Sequence, residues 1–97
     1  MLRHIVFFKF KTETPSARRR NFFEMLRALP GQIPEIADSE VGEDILHQPR
    51  SFDVSIFFTF QDRTALETYS SHPRHVALVE ESRRINEQVC SVDYEVS

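Results

Sequence analysis

Two stretches of the chain alternate apolar residues with other residues, and this period of two is typical of β-strands. Over residues 2–11 one face is apolar apart from a single histidine; its members are His4, Val6, Phe8 and Phe10. The other face of this stretch still carries Ile5 and Phe7. Residues 52–60 repeat the pattern, with one wholly apolar face and Phe57 among polar residues on the other. Each predicted strand therefore needs cover on both faces.

Helical spacing of apolar residues marks three further segments. Thr14 is predicted to cap the first helix, with Pro15 at its first position and Pro30-Gly31 at its end. Asp62 is predicted to cap a second helix that runs to about Ser70. Pro73 prevents its smooth continuation, so a separate helix is expected over residues 74–86. That helix carries one stripe made of His75, Leu78, Val79, Ser82 and Ile85.

Two weaker patterns complete the set of strands. Residues 35–46 are acidic and only weakly periodic, and Gly42 is interpreted as a bulge or bend within a strand. Residues 89–96 alternate and predict a closing strand in which Cys90 is a buried cysteine. The order β-α-β-β-α-β, with the second helix broken, predicts an α+β, ferredoxin-like fold over a single domain of residues 1–97. Its four-stranded antiparallel sheet would carry the helices on one face.

The face of the sheet away from the helices predicts self-association. It carries Ile5, Phe7 and Phe57, and nothing in a chain of 97 residues remains to cover them. We therefore expect a twofold homodimer in which two sheets pack face to face through these residues and form a dimeric α/β barrel. The alternative is a monomer with a few exposed aromatic side chains.

Charge and composition exclude several classes of partner. The net charge is −3, and the one basic cluster, Arg18 to Arg20, is too short for a nucleic-acid-binding surface. Arg3 and Lys9 interrupt the apolar N-terminal stretch, which is too short for a signal peptide or a membrane span. The single cysteine excludes an intramolecular disulfide. The sequence thus predicts a cytoplasmic protein without nucleic-acid or membrane partners.

The segment YSSHPRHV places candidate chemistry beside the broken helix. Tyr69 and His75 approach from different directions because Pro73 separates them, and His4 faces the same interior from the first strand. A neutral imidazole there can exchange a proton near neutral pH, and the tyrosine hydroxyl can orient a carbonyl or a phenol. The pocket is predicted to be lined by Phe8, Phe23, Leu26, Val54, Ile56 and Leu78.

The same rings also permit a purely structural interpretation. A buried histidine is commonly bonded to a backbone carbonyl, and a tyrosine at a helix end is commonly packing. His72 is interpreted as a cap at the helix break or as solvent-exposed, and His47 has no evident role. His72 and His75 are spaced as metal ligands can be, but the sequence offers no third ligand. No motif for a cofactor is present, so we expect neither metal nor cofactor.

Several of these residues carry a resemblance that covers essentially the whole chain. HIVFFKFK at the start, the phenylalanines at 22 and 23, FFTF at 57–60 and YSSHPRHV are similar to the stress-responsive A/B barrel (Dabb) family. The resemblance implies a dimeric α+β barrel. It also implies roles taken from a plant polyketide cyclase of the family: His75 as base, Tyr69 in substrate binding, His4 in the site, and Phe23 and Leu26 around an alkyl tail. Val54 stands where that cyclase has another histidine, so the same cyclisation is not implied.

Three functional hypotheses follow. The first is a stress-associated homodimer that binds a small, largely apolar or aromatic molecule between sheet and helices. The second is a cofactor-independent enzyme that resembles polyketide cyclases, lyases or monooxygenases, with His75 as general base, Tyr69 as hydrogen-bond donor and His4 in support. The third is a purely structural or assembly role.

Overall fold

The computed structural model describes residues 1–97 and contains four strands and three helices. Their bounds in chain order are β1 Leu2–Phe10, α1 Ser16–Gln32, β2 Ile36–Glu43, β3 Val54–Phe60, α2 Arg63–Ser71, α3 Pro73–Ile85 and β4 Asn86–Glu95. The strands form one antiparallel sheet in the order β2-β3-β1-β4. This topology confirms the predicted ferredoxin-like α+β fold. No helix is both long enough and apolar enough to cross a membrane.

The helices cover the face of the sheet on which the long apolar series lie. Phe22 and Leu26 of α1 are fully buried in the same hydrophobic core as Ile56 and Phe58 of β3. The Phe22 ring meets the Phe8 ring edge to face at 5.2 Å between centroids, a favourable geometry for aromatic side chains. Alternation therefore predicted correctly which face of β1 and β3 enters the core.

No helix covers the opposite face of the sheet, where only the Phe52 ring beside Phe7 and the Arg3 guanidinium over Phe57 lie against the apolar side chains. Phe7 and Phe57 are 43% and 37% exposed, and Val92 and Tyr94 on β4 are 51% and 44% exposed. Ile5 lies in the middle of this surface, because it pairs with Phe57 on one side and with Val92 on the other. We call this surface, made of Ile5, Phe7, Phe57, Val92 and Tyr94, the outer apolar face. It contains the three residues for which an interface was predicted.

The predicted ends of α1 were both wrong. Thr14 does not cap the helix, because its hydroxyl donates to the distant carbonyl of Ile85 at 2.9 Å; Pro15 occupies the cap position instead. At the other end the helix continues past Pro30 and Gly31 to Gln32. The amide of fully buried Ile33 then donates to the carbonyl of Leu29, which holds this last turn in place.

Two further local predictions were wrong in β2 and β4. The irregularity of β2 lies between Ile36 and Asp38, whereas Gly42 pairs regularly with Ser55. Cys90 is exposed, because it pairs with Phe7 and so lies on the outer apolar side of the sheet. The alternation of β4 was recognised correctly, but the face that carries Cys90 is the one without helices.

The break between α2 and α3 lies where the sequence predicts it. Asp62 caps α2 by accepting a hydrogen bond from the amide of Ala65 at 2.9 Å. His72 caps α3 in the same way through its Nδ1, which accepts from the amide of Arg74 at 3.1 Å. Pro73 occupies the first turn of α3, where its missing N–H is not needed. The prediction that His72 caps this break is confirmed.

Candidate active site

Three polar rings from three elements meet on the inner face of the sheet. His4 comes from β1, Tyr69 from the last turn of α2 and His75 from the first turn of α3. The Tyr69 ring lies 4.4 Å from the His75 ring and 5.7 Å from the His4 ring, measured between centroids. The helix break makes this possible, since Tyr69 and His75 leave different helices and converge. The structure thus brings the three predicted site residues together.

One nitrogen of the His75 ring is bonded and the other remains open. Nδ1 lies 2.9 Å from the carbonyl oxygen of Ser70, and only a protonated Nδ1 can donate to that acceptor. The neutral ring therefore carries its lone pair on Nε2. Burial lowers the pKa of His75; the Ser70 carbonyl opposes this shift, and the neighbouring His4 adds to it. The ring is consequently a neutral base at physiological pH.

Tyr69 supplies a hydroxyl that stays protonated. The side chain is 1% exposed, and burial, followed by the negative charge of Asp93, raises its pKa far above the ordinary value of 10.0. The hydroxyl has no hydrogen-bond partner in the chain. The one side-chain polar atom that is both fully enclosed and without a partner is Asn86 Oδ1, not the Tyr69 hydroxyl. The Tyr69 hydroxyl thus has no acceptor within the chain, and the residue lines the neighbouring cavity.

His4 is fixed by a carboxylate from the neighbouring strand. Its Nδ1 is hydrogen-bonded to Oδ1 of Asp93, the residue that faces it across the β1–β4 pairing. The His4 side chain is 15% exposed and that of Asp93 is 40% exposed. The pair orients the His4 ring toward Tyr69 and places a negative charge near the site, and this agrees with the supporting position expected for His4.

A cavity of about 320 Å³ extends from these rings between α3 and the sheet. Most of its wall is apolar; the three rings lie at one end, Ser82 and Arg83 lie toward the other, and Ser91 lies opposite Val6 between them. The lining residues are His4, Val6, Phe8, Ile56, Tyr69, His75, Leu78, Val79, Ser82, Arg83, Val89 and Ser91.

The cavity has only half of the predicted apolar lining. Phe8, Ile56 and Leu78 line it as predicted. Phe23 and Val54 instead line a separate, more polar cleft of about 240 Å³, and Leu26 is fully buried in the core. The reason is that α1 packs near β2, whereas the cavity lies on the α3 and β4 side. Phe23, Leu26 and Val54 therefore lie outside this cavity, in contrast to the predicted lining.

Six lining residues were not predicted as part of the site, namely Val6, Val79, Ser82, Arg83, Val89 and Ser91. Ser82 and Arg83 come from the last turns of α3, and Val89 and Ser91 come from β4. A signal for the first two was present, because positions seven and eight after His75 lie on the same face of a helix. No sequence signal distinguished the β4 residues from their exposed neighbours.

The remaining histidines lie outside the site. His72 is engaged as a helix cap, and His47 is an exposed loop residue beside Asp44. No group of three or more histidine, cysteine or acidic side chains is placed to hold a metal ion. The ionisable groups at this end of the cavity are His75, Tyr69 and the His4–Asp93 pair.

The fold and the cavity define a small ferredoxin-like α+β protein that keeps a histidine–tyrosine pair at one end of an apolar chamber. Within this class, the chain belongs to the stress responsive A/B barrel domain family, which it matches over residues 2–96.

Known relatives include both enzymes and proteins without an assigned function. Olivetolic acid cyclase from Cannabis sativa is 26% identical over 95 residues, covering 96% of this chain and 94% of the cyclase. A dimeric ferredoxin-like protein of unknown function from Bacteroides fragilis is 29% identical, with a TM-score of 0.81 over 98% of this chain and 95% of that protein. Hydroxynitrile lyase from Passiflora edulis shares the fold at 18% identity, with a TM-score of 0.87 over 99% of this chain and 93% of the lyase.

Proposed function

We propose that residues 1–97 act as one domain that forms a homodimer and binds a small, largely apolar or aromatic molecule in the cavity between α3 and the sheet. The observation that carries this proposal is an apolar chamber with an unbonded Tyr69 hydroxyl and an unbonded His75 Nε2 at one end. Polar groups of this kind fix the orientation of a ligand that the apolar wall attracts. The family description supports a role in a stress response. We also propose that the protein is cytoplasmic.

The size of the cavity supports a ligand of one or two rings. A cavity of roughly 150 Å³ holds benzene, and drug-like pockets begin at about 300 Å³. The chamber of about 320 Å³ therefore accommodates a substituted phenol or a naphthol. Its wall of Val6, Phe8, Ile56, Leu78 and Val79 makes dispersion contacts with such rings.

The homodimer rests on the outer apolar face. The five residues of this face form a contiguous patch across β3, β1 and β4, and patches of this kind on a soluble protein mark interfaces. Packing against the same face of a second copy satisfies both surfaces at once. The dimeric relative from Bacteroides fragilis supports this arrangement.

Binding is tested with a panel of para-butylphenol, naphthol and octanoate by calorimetry and thermal shift. Val79→Trp fills the cavity from its α3 wall and should abolish binding. Val76→Trp is the matched control, because Val76 lies on the same helix but is 44% exposed and does not line the cavity. Absence of binding by the wild-type chain across the panel, or equal binding by both variants, contradicts the proposed function.

A second candidate is a cofactor-independent enzyme with His75 as general base, Tyr69 as hydrogen-bond donor and His4 in support. It is favoured by the tautomer of His75, since the Ser70 carbonyl commits Nδ1 and leaves Nε2 to accept a proton. The Tyr69 hydroxyl can then donate to the oxygen on which charge develops. The cyclase and lyase among the relatives support this candidate.

Proton abstraction is measurable without knowledge of the natural substrate. We expect the wild type to exchange hydrogen for deuterium beside the carbonyl of phenylbutanone, followed by NMR in heavy water. His75→Gln removes the base, so exchange should fall to the uncatalysed rate. His47→Gln is the control, since His47 lies outside the cavity. Undiminished exchange in His75→Gln would exclude this mechanism.

A further inference from the structure

The end of the cavity opposite the rings carries an unpaired positive charge. Arg83 lines this end, and no carboxylate of the chain forms an ion pair with it. Its neighbour Arg84 lies outside the cavity and contacts Glu81 at 3.6 Å. The two adjacent arginines therefore differ: Arg84 shares the Glu81 carboxylate with Arg18, whereas Arg83 has no carboxylate partner and lines the cavity.

A buried hydroxyl lies beside that charge. Ser82 is 8% exposed and lines the cavity, and its Oγ accepts a hydrogen bond from the side-chain Nδ2 of Asn86 at 2.9 Å. The Ser82 hydroxyl donates to no acceptor in the chain, whereas the hydroxyls of Ser70 and Ser71 donate to carbonyls of their own helix. Its hydrogen thus remains available to a group inside the cavity. Ser91 of β4 pairs with Val6 and places a further hydroxyl between the two ends of the cavity.

The distance between the two polar ends is set by α3 and by β1. Eight residues separate His75 from Arg83 on α3, which is roughly 12 Å at 1.5 Å per residue. Four residues separate His4 from Phe8 along β1, which gives roughly 13 Å at 3.3 Å per residue. The wall between the ends is apolar, with Leu78 and Val79 on α3.

From this arrangement we propose that the cavity selects an elongated apolar molecule with a carboxylate at the Arg83 and Ser82 end and a neutral oxygen at the Tyr69 and His75 end. Arg83 forms a charge-assisted hydrogen bond with the carboxylate, and the Ser82 hydroxyl donates a second one. Tyr69 donates to the neutral oxygen, a phenol or a carbonyl. This inference rests on the proposed binding function and adds the chemical class of the ligand.

The test compares two phenols of similar length that differ at the far end. The probes are para-hydroxyphenylpropanoate, which carries the carboxylate, and para-butylphenol, which does not. Arg83→Gln should weaken binding of the propanoate by about tenfold or more, as a charged hydrogen bond is worth that much. It should leave the affinity for para-butylphenol unchanged, and Arg84→Gln should leave both affinities unchanged. Arg83→Lys should restore part of the loss because it keeps the charge.

The outcomes separate this inference from the function on which it rests. Binding of para-butylphenol without binding of the propanoate, or equal propanoate affinity in wild type and Arg83→Gln, overturns the carboxylate assignment and leaves the binding function standing. Binding of neither probe overturns both. Added salt provides a further readout, since the propanoate affinity should fall with ionic strength and the butylphenol affinity should not.

Discussion

Replacement of Phe57 by alanine measures the contribution of the outer apolar face to the proposed homodimer. The Phe57 ring is 37% exposed in the protomer, and full burial of a phenylalanine is worth about 1.5–3 kcal/mol. Burial of the remaining third by a second copy therefore contributes about 1 kcal/mol, and a twofold interface buries the ring of each protomer. The two losses total about 2 kcal/mol, which raises the dissociation constant of the dimer about 30-fold.

Sedimentation equilibrium over a concentration series measures this constant directly. Val76→Ala is the matched control, because Val76 is 44% exposed on α3 and lies away from the outer apolar face. We expect its dissociation constant to equal that of the wild type. An unchanged constant in Phe57→Ala, or a wild-type chain that sediments as an 11.4 kDa monomer at micromolar concentration, would refute the assignment of this face as the interface.

Three further predictions concern stability. Burial lowers the pKa of His75 in the folded state below its ordinary value of 6.5. The stability that the neutral ring contributes is therefore fully present above pH 6.5 and is lost as the pH falls through the pKa of the folded state. The urea midpoint should thus fall more in wild type than in His75→Gln on acidification, and parallel curves would contradict this. Asp62→Ala removes the cap of α2 and should lower the free energy of unfolding by about 1 kcal/mol, which lowers the melting temperature by about 4–8 °C. The control Gln61→Ala should change the melting temperature little. Phe22→Ala empties a fully buried site and should cost about 3–5 kcal/mol by urea unfolding; a loss below 1 kcal/mol would show that the core collapses around it.

The sequence predicted the order of elements and the inner face of the sheet because both depend on local periodicity. Both signals lie within short stretches of sequence: the alternation in β1 and β3, and the proline between α2 and α3. The failures at Thr14 and Pro30 have a different origin. The Thr14 hydroxyl is engaged by Ile85, 71 residues away, and the end of α1 is held by the burial of Ile33. The local spacing of residue types does not reveal such tertiary contacts.

The candidate site was predictable in part for the same reason. Tyr69 and His75 flank the proline, so the sequence alone shows that they converge, and alternation assigns His4 to the same side. The position of the cavity across the sheet depends on which strands α1 covers and which strands α3 covers. Phe23 and Val54 were therefore assigned to the wrong space, and Arg83 was overlooked although it shares a helix face with His75.

The central strand β1 contributes to both sides of the sheet at once. Its even-numbered positions, from His4 to Phe8, face the chamber, and Ile5 and Phe7 between them face outward. A one-residue insertion or deletion here would exchange the two sets and destroy chamber and outer surface together. Substitutions on α3 are free of this constraint, because that helix touches only the chamber side. The preference for the proposed ligand can therefore diverge through α3 while the strand at the centre of the proposed dimer interface remains unchanged.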